Sequence, residues 1–284
     1  MEPHSGERAP PPSSGRGRVE GPARPIGVFD SGVGGLTVLR HVRAVLPAAN
    51  LLYVADSAHA PYGDKSAAFI EARALAIAEF LVERGARALV VACNTATAAA
   101  ITLLRSRFEL PIVGMEPAVK PAAEATRSGV IGVLATSGTL ESGKFAELVQ
   151  RHGSQARVLV QPCPGLVERI EAGDLDGPQT RSLLAACVEP LLAAGADTLV
   201  LGCTHYPFLM PLLRQLAGPR VAIIEPGAAV ARQLARRLAE TRDALGEGEG
   251  SERFYSSAEP ARLEALLPRL WGRAAAVAPF VSGR

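Results

Sequence analysis

From residue 26 onward, short apolar runs alternate with longer stretches whose apolar positions recur every three or four residues. IGVFD, NLLYVAD, ALVVACN and PIVGM read as strands; HVRAVL, FIEARALAIAEFLVERG and ATAAAITLLRSRF read as helices. The second half repeats the alternation, with VIGVLAT, ARVLVQP, TLVLGC and RVAIIEP as strands and KFAELVQRH, TRSLLAACVEPLLAAG and FLMPLLRQL as helices. A strand that is apolar at nearly every position is buried on both faces. Such strands in alternation with helices predict an α/β fold of mainly parallel sheets flanked by helices.

The two halves also match residue by residue. GARALVVACNTAT (85–97) lies over GADTLVLGCTHYP (195–207), and in each the glycine precedes the cysteine by eight residues. PIVGMEPAVKPA (111–122) lies over VAIIEPGAAVAR (221–232), and IGVFDSGVGG (26–35) resembles IGVLATSGTL (131–140). The expectation is two similar, pseudo-symmetric domains, with the chain crossing between them at Glu116-Pro117 and Glu225-Pro226. One comprises residues 25–117 plus 226–284, the other 118–225. Cys93 and Cys203 each close a strand at its C-terminal end, the edge where open α/β sheets bind ligands. A pseudo-two-fold axis puts them across a cleft from each other.

Composition narrows the function without naming it. The 284 residues are 48% hydrophobic and 20% charged, ordinary for a globular protein. A net charge of +2 gives no electrostatic case for nucleic acid as a partner. Residues 1–24 are rich in Pro, Gly, Ser and Arg and predict a disordered tail. That tail lacks the apolar core of a secretory signal, and no apolar run reaches the ~20 residues of a membrane span. The expected location is the cytoplasm, where Cys93, Cys163, Cys187 and Cys203 stay free thiols. Cys163 and Cys187 read as small buried hydrophobes.

For Cys93 or Cys203 alone, core packing is the ordinary reading; their duplicated position and polar neighbours argue for chemistry. Two opposed thiols can invert a stereocentre, one taking a proton from one face of a carbon and the other giving one to the opposite face. That step requires no metal or cofactor if the surroundings stabilise the carbanion. Asp30 and Ser31 follow the first strand toward Cys93, and His205 is two residues from Cys203. Asn94-Thr95 and Thr204 sit just before helices, where their side chains cap the helix or its free amides bind a carboxylate. A zinc site of Cys93, Cys203 and His205 has suitable ligand types but lacks short ligand spacing. The stretch Asp30-Ser31-Gly32-Val33-Gly34-Gly35 superficially suits a dinucleotide loop, but the third fingerprint glycine is missing.

FDSGVGGLTV, ADSAHAPYGDKS, VVACNTATA, VGMEPAVKPA, VLATSGT and LGCTHYP, in that order, resemble the glutamate racemases of the aspartate/glutamate racemase superfamily. The resemblance runs from about residue 25 to 240. It implies interconversion of L- and D-glutamate without a cofactor or metal, supplying D-glutamate for peptidoglycan. It assigns proton transfer to Cys93 and Cys203, supported by Asp30 and His205. It implies that the cysteine nearer Asp30 acts on D-glutamate and the one nearer His205 on L-glutamate. Substrate contacts fall on Asp30, Ser31, Tyr62, Gly63, Asn94, Thr95, Thr204 and His205, with Thr136 and Thr139 also lining the pocket. A family glutamate falls in CPGLVERIEAG (163–173), on Glu171 or on Glu168. The family is commonly dimeric, so a homodimer is expected.

The chain departs from the family pattern at Arg40-His41, where an acidic residue is frequent, and in its tail and the linker DALGEGEGSE (243–252). Two rivals stay open. One is another thiol-pair enzyme of the superfamily, acting on aspartate, hydantoins or maleate. The other is a non-catalytic interaction protein that uses the basic tail.

Overall fold

The structure is a computed structural model and describes residues 24–152, 155–241 and 248–281. Apart from Arg24, the expected disordered tail lies outside these residues, as do the first residues of the expected linker. Among the described residues the strands are β1 (Ile26–Asp30), β2 (Leu51–Ala55), β3 (Ala88–Val91), β4 (Ile112–Val113), β5 (Val130–Ala135), β6 (Arg157–Pro162), β7 (Thr198–Leu201), β8 (Ala222–Ile224), β9 (Glu252–Ser256) and β10 (Val277–Pro279). They form a six-stranded sheet in the order β10-β9-β2-β1-β3-β4 and a four-stranded sheet in the order β6-β5-β7-β8. Every pairing is parallel.

The internal repeat has a direct image in this topology. The run β2-β1-β3-β4 and the run β6-β5-β7-β8 have the same order, with β1 and β5 as the second strand and β3 and β7 as the third. In both sheets the first strand of the repeat pairs on either side, with β2 and β3 or with β6 and β7. Cys93 and Cys203 each lie two residues past their strand, Cys93 at the edge of the first sheet where β1 ends at Asp30 and Cys203 at the matching edge of the second sheet where β5 ends at Ala135.

Strands β1, β2, β3 and β7 are buried along their whole length, as continuous apolar runs require. β6 differs from the expectation for ARVLVQP: its residues are exposed or half-buried, and Val160 is 49% exposed. The reason is position. β6 is an edge strand of a small sheet, and no further strand among the described residues lies beyond it.

One apolar body joins the two sheets. It gathers Val28 and Val90 from the first sheet and Leu199 and Leu201 from the second. It also takes in buried residues of helices Leu36–Val45, Leu166–Glu171, Pro178–Ala193 and Gly227–Ala239. The helix Gly227–Ala239 carries Arg232, Arg236 and Arg237 on its exposed face and buries Val230, Ala231, Leu234 and Leu238. A second core under the other face of the first sheet is closed by helices Ala67–Glu83 and Asn94–Arg107. A smaller third core lies under the second sheet, against helices Val119–Ala125 and Gly143–His152.

Strands β9 and β10, together with helices Val119–Ala125, Leu166–Glu171 and Pro260–Leu270, have no counterpart in the periodicity reading. Aromatic contacts hold β9 and the three-residue β10. Phe80 packs edge-on against Tyr255 at 5.0 Å and Phe280 at 4.9 Å between centroids, and Phe254 meets Trp271 at 5.9 Å. Each such pair contributes roughly 0.5–1.5 kcal/mol beyond area burial.

Candidate active site

Cys93 is itself the cap of the helix Asn94–Arg107. Its Sγ accepts the amide hydrogen of Ala96 at 3.4 Å and lies 3.8 Å from Ser31 Oγ. This corrects the expectation that Asn94 or Thr95 precedes the helix and caps it: both lie in its first turn, and the sulfur takes the capping position. Burial pushes the Cys93 thiol up, the negative charge of Asp30 adds to that, and the Ala96 amide opposes it.

Cys203 has a different partner. Its Sγ lies 3.7 Å from His205 Nδ1, and His205 Nε2 lies 2.7 Å from Glu171 Oε1. Burial works against a charge on this ring. Hydrogen bonds with Cys203 and Glu171 outweigh it, so the His205 pKa stands well above its ordinary value. Glu171 Oε1 also accepts the Val33 amide hydrogen at 2.7 Å, and Oε2 accepts from Ser57 Oγ at 3.1 Å. Of the two glutamates in this helix, Glu171 reaches His205, while Glu168 lines an outer pocket.

Asp30, at the end of β1, is fully buried. Its Oδ2 accepts the Gly35 amide at 2.8 Å. Its Oδ1 faces Ser31 Oγ at 3.5 Å and Thr204 Oγ1 at 3.4 Å, so it ties residues of both sheets together. Burial raises the Asp30 pKa; His205 and the Gly35 amide lower it in part, and Glu171 raises it further. The glycine loop that follows is not an open phosphate cradle. Glu171 occupies the place where an anion would meet the Val33 amide, and a Cβ at Gly32 would lie 2.6 Å from Glu171 Cδ.

Between the two thiols lies a small cavity. Ser31, Tyr62, Gly63, Asn94, Thr95, Thr136, Thr204 and His205 line it together with Cys93 and Cys203. Thr139 stands behind this wall. It closes a triangle of hydroxyls with Thr95 at 3.0 Å and Thr136 at 3.1 Å, and Thr95 and Thr136 are 2.9 Å apart. Asn94 is buried, and both polar atoms of its amide lack a hydrogen-bond partner among the described residues. A buried amide in that state costs about 1–3 kcal/mol unless something in the cavity satisfies it.

Sequence reasoning missed several residues that build this wall. Pro61, Val167 and Gly202 line the cavity. Asp56 fixes Tyr62 through a 2.5 Å hydrogen bond, and Arg73 holds Asp56 at 2.9 and 2.7 Å. Asp56 and Ser57 stand in ADSAHAPYG beside the expected Tyr62, but nothing in that string says which polar group turns inward. Cys163 and Cys187 are buried and free. Among the described residues no group of three or more His, Cys, Asp or Glu side chains could hold a metal ion. No helix among them is long and apolar enough to cross a membrane.

Residues 36–234 match the family model for Asp/Glu/Hydantoin racemases. The chain is 60% identical over 261 residues to a glutamate racemase of Stutzerimonas stutzeri, covering 92% of this chain and 98% of that protein. It is 59% identical to a glutamate racemase of Pseudomonas aeruginosa, covering 90% and 97%. Among solved structures it resembles a glutamate racemase isoform of Bacillus anthracis, with TM-score 0.82 and 30% identity over 92% of this chain and 98% of that one. It also resembles the Escherichia coli glutamate racemase in complex with L-glutamate and an activator, with TM-score 0.80 and 34% identity over 90% and 97%. The chain therefore belongs to the Asp/Glu/Hydantoin racemase family, among its glutamate racemases, and is an amino-acid racemase, an isomerase.

Proposed function

We propose that this protein interconverts L- and D-glutamate by a two-base mechanism on Cys93 and Cys203, and that its D-glutamate supplies peptidoglycan synthesis. One observation carries the mechanism: two buried cysteines line one small cavity, each with its own acid–base neighbour, Asp30 for Cys93 and His205 for Cys203. The substrate is supported by two relatives whose structures hold opposite enantiomers. The E. coli racemase is in complex with L-glutamate, and the Francisella tularensis racemase, 27% identical with TM-score 0.79, is in complex with D-glutamate.

With L-glutamate bound, the Cys203 thiolate takes the proton from Cα and the Cys93 thiol delivers one to the opposite face. With D-glutamate the roles reverse. The imidazolium of His205 favours the thiolate of Cys203, and the Ala96 amide favours that of Cys93. The transient charge on Cα spreads into the α-carboxylate, where the Asn94 amide and the hydroxyls of Ser31, Thr95 and Thr204 are the available donors. Tyr62 and Gly63 line the cavity, with Thr136 packed against Gly63 and Thr139 behind it. We take residues 25–117 with 226–284, and 118–225, as the two domains that meet on the substrate; sheet membership of the strands supports this division. A homodimer is the assembly we expect in solution.

The test is circular dichroism of the purified protein with L-glutamate in heavy water and no added cofactor. Decay of optical activity with deuterium at Cα of the product is the expected result. A stable signal with glutamate but turnover of aspartate or a hydantoin would keep the thiol pair and discard the substrate.

A further inference from the structure

The two halves of the cavity differ in their access to water. On the Cys93 side, Asp30 is fully buried, and the hydroxyl of Tyr53, also buried, is taken up by the Gly32 carbonyl at 2.6 Å. On the Cys203 side, the His205 side chain is 2% exposed, but Glu171, 2.7 Å away, is 17% exposed. The far side of Glu171 opens on a second, larger pocket, outside the cavity and continuous with solvent. Ser57 lines that pocket and donates to Glu171 Oε2 at 3.1 Å. Cys203, His205 and Glu171 thus form an unbroken line of proton-carrying atoms from the cavity to the water of the outer pocket, and Ser57 fixes its outer end.

Two-base racemisation leaves the enzyme in the wrong protonation state. After L-glutamate becomes D-glutamate, Cys203 is a thiol and Cys93 a thiolate, the reverse of the starting form. The next turnover in the same direction requires Cys203 to lose its proton and Cys93 to gain one. We propose that Glu171, held in position by Ser57, is the proton port of the Cys203 half of the site. The imidazolium first gives its Nε2 proton to Glu171, which passes it to water in the outer pocket; the neutral ring, re-formed as the tautomer protonated at Nε2, then takes the Cys203 Sγ proton at Nδ1, which restores the thiolate–imidazolium pair. Cys93 regains its proton from water entering the opened cavity. After conversion of D-glutamate the same line runs inward. Ser57 is a positioning residue in this account; it does not touch the substrate. The proposal rests on the two-cysteine reading.

A reset step that follows product release affects kcat and leaves kcat/KM unchanged. Ser57→Ala is therefore expected to lower kcat about tenfold in both directions, the size of one charge-assisted hydrogen bond. KM should fall in step, leaving kcat/KM near that of the native protein. Ser57→Thr, which keeps the hydroxyl, should restore kcat. Imidazole added as a small proton carrier should raise the kcat of Ser57→Ala. Loss of kcat/KM in parallel with kcat, an unchanged kcat, or no response to imidazole would overturn the port. Cys203→Ala, assayed alongside, tests the parent reading separately: retained racemisation there removes the two-cysteine mechanism whatever Ser57→Ala does.

Discussion

There is no room for a methyl group between Gly34 and His205. A Cβ at position 34 would overlap His205 Nδ1 and stand 2.6 Å from Thr204 Oγ1. The glycine loop after β1 is thus pressed against the histidine that serves Cys203, and this close approach sets the geometry of one half of the site. Gly34→Ala should displace His205 and lower kcat/KM by ~100-fold or more, the loss expected of a misplacement near 1 Å. The overpacking should also lower stability by about 1–3 kcal/mol. Racemisation kinetics and thermal unfolding of the same preparation check both.

Cys93→Ala and Cys203→Ala should each abolish racemisation. Cys93→Ser and Cys203→Ser should be nearly as severe, since a hydroxyl is a far weaker acid at neutral pH than a thiol. Polarimetry with either enantiomer reads the result. Enantiomers have equal free energy, so every active variant must keep equal kcat/KM values in the two directions. Near-native turnover in either alanine variant would sink the mechanism.

Asn94→Leu should separate function from stability. The substitution removes a buried amide that has no partner within the described fold. Thermal stability of the free protein should hold or rise by up to about 1 kcal/mol, while KM for glutamate rises at least ~10-fold as a substrate donor is lost. A fall in stability with unchanged KM would show that the amide serves the fold instead.

The histidine supplies a pH signature. The folded pKa of His205 is raised, since hydrogen bonds with Cys203 and Glu171 overcome its burial. A raised pKa gives stability that is fully present below the unfolded value of ~6.5 and lost as pH rises through the folded value. Nitrogen NMR of the imidazole should show the charged ring persisting above pH 6.5. Glu171→Gln should lower the titration midpoint and weaken turnover on the alkaline side. A midpoint unmoved by Glu171→Gln would contradict this account.

Asp56 acts at the acid end. Its burial favours the neutral form, but Arg73, Tyr62 and Ser257 hold the carboxylate, and its pKa is lowered. The associated stability is present above the unfolded value of ~3.9 and lost as pH falls through the folded one. Asp56→Asn should cost about 3–5 kcal/mol, because Arg73 loses its buried partner. It should also raise KM as Tyr62 loosens. Denaturant unfolding at pH 7 and pH 3 should show a smaller difference between variant and native protein at the lower pH.

The apolar runs of the chain determined the parallel sheets, and the match of 85–97 with 195–207 marked both cysteines, because strand burial and strand-end position are local properties. Asp30, Ser31, Asn94, Thr95 and His205 were legible for the same reason: each adjoins a strand end that faces the cavity. What the tertiary structure decided depends on contacts between distant segments. Glu168 and Glu171 are three residues apart on one helix, and only the docking of that helix against the loops after β1 and β2 sends Glu171 to His205, Val33 and Ser57. The exposure of β6 follows from its place at a sheet edge, and β9 and β10 depend on rings supplied by Phe80 and Trp271. The tie of Tyr62 to Asp56 and Arg73, and the absence of room beside Gly34, likewise arise only when separate elements pack. Periodicity records which face of an element is buried; what that face is buried against is set by the fold as a whole.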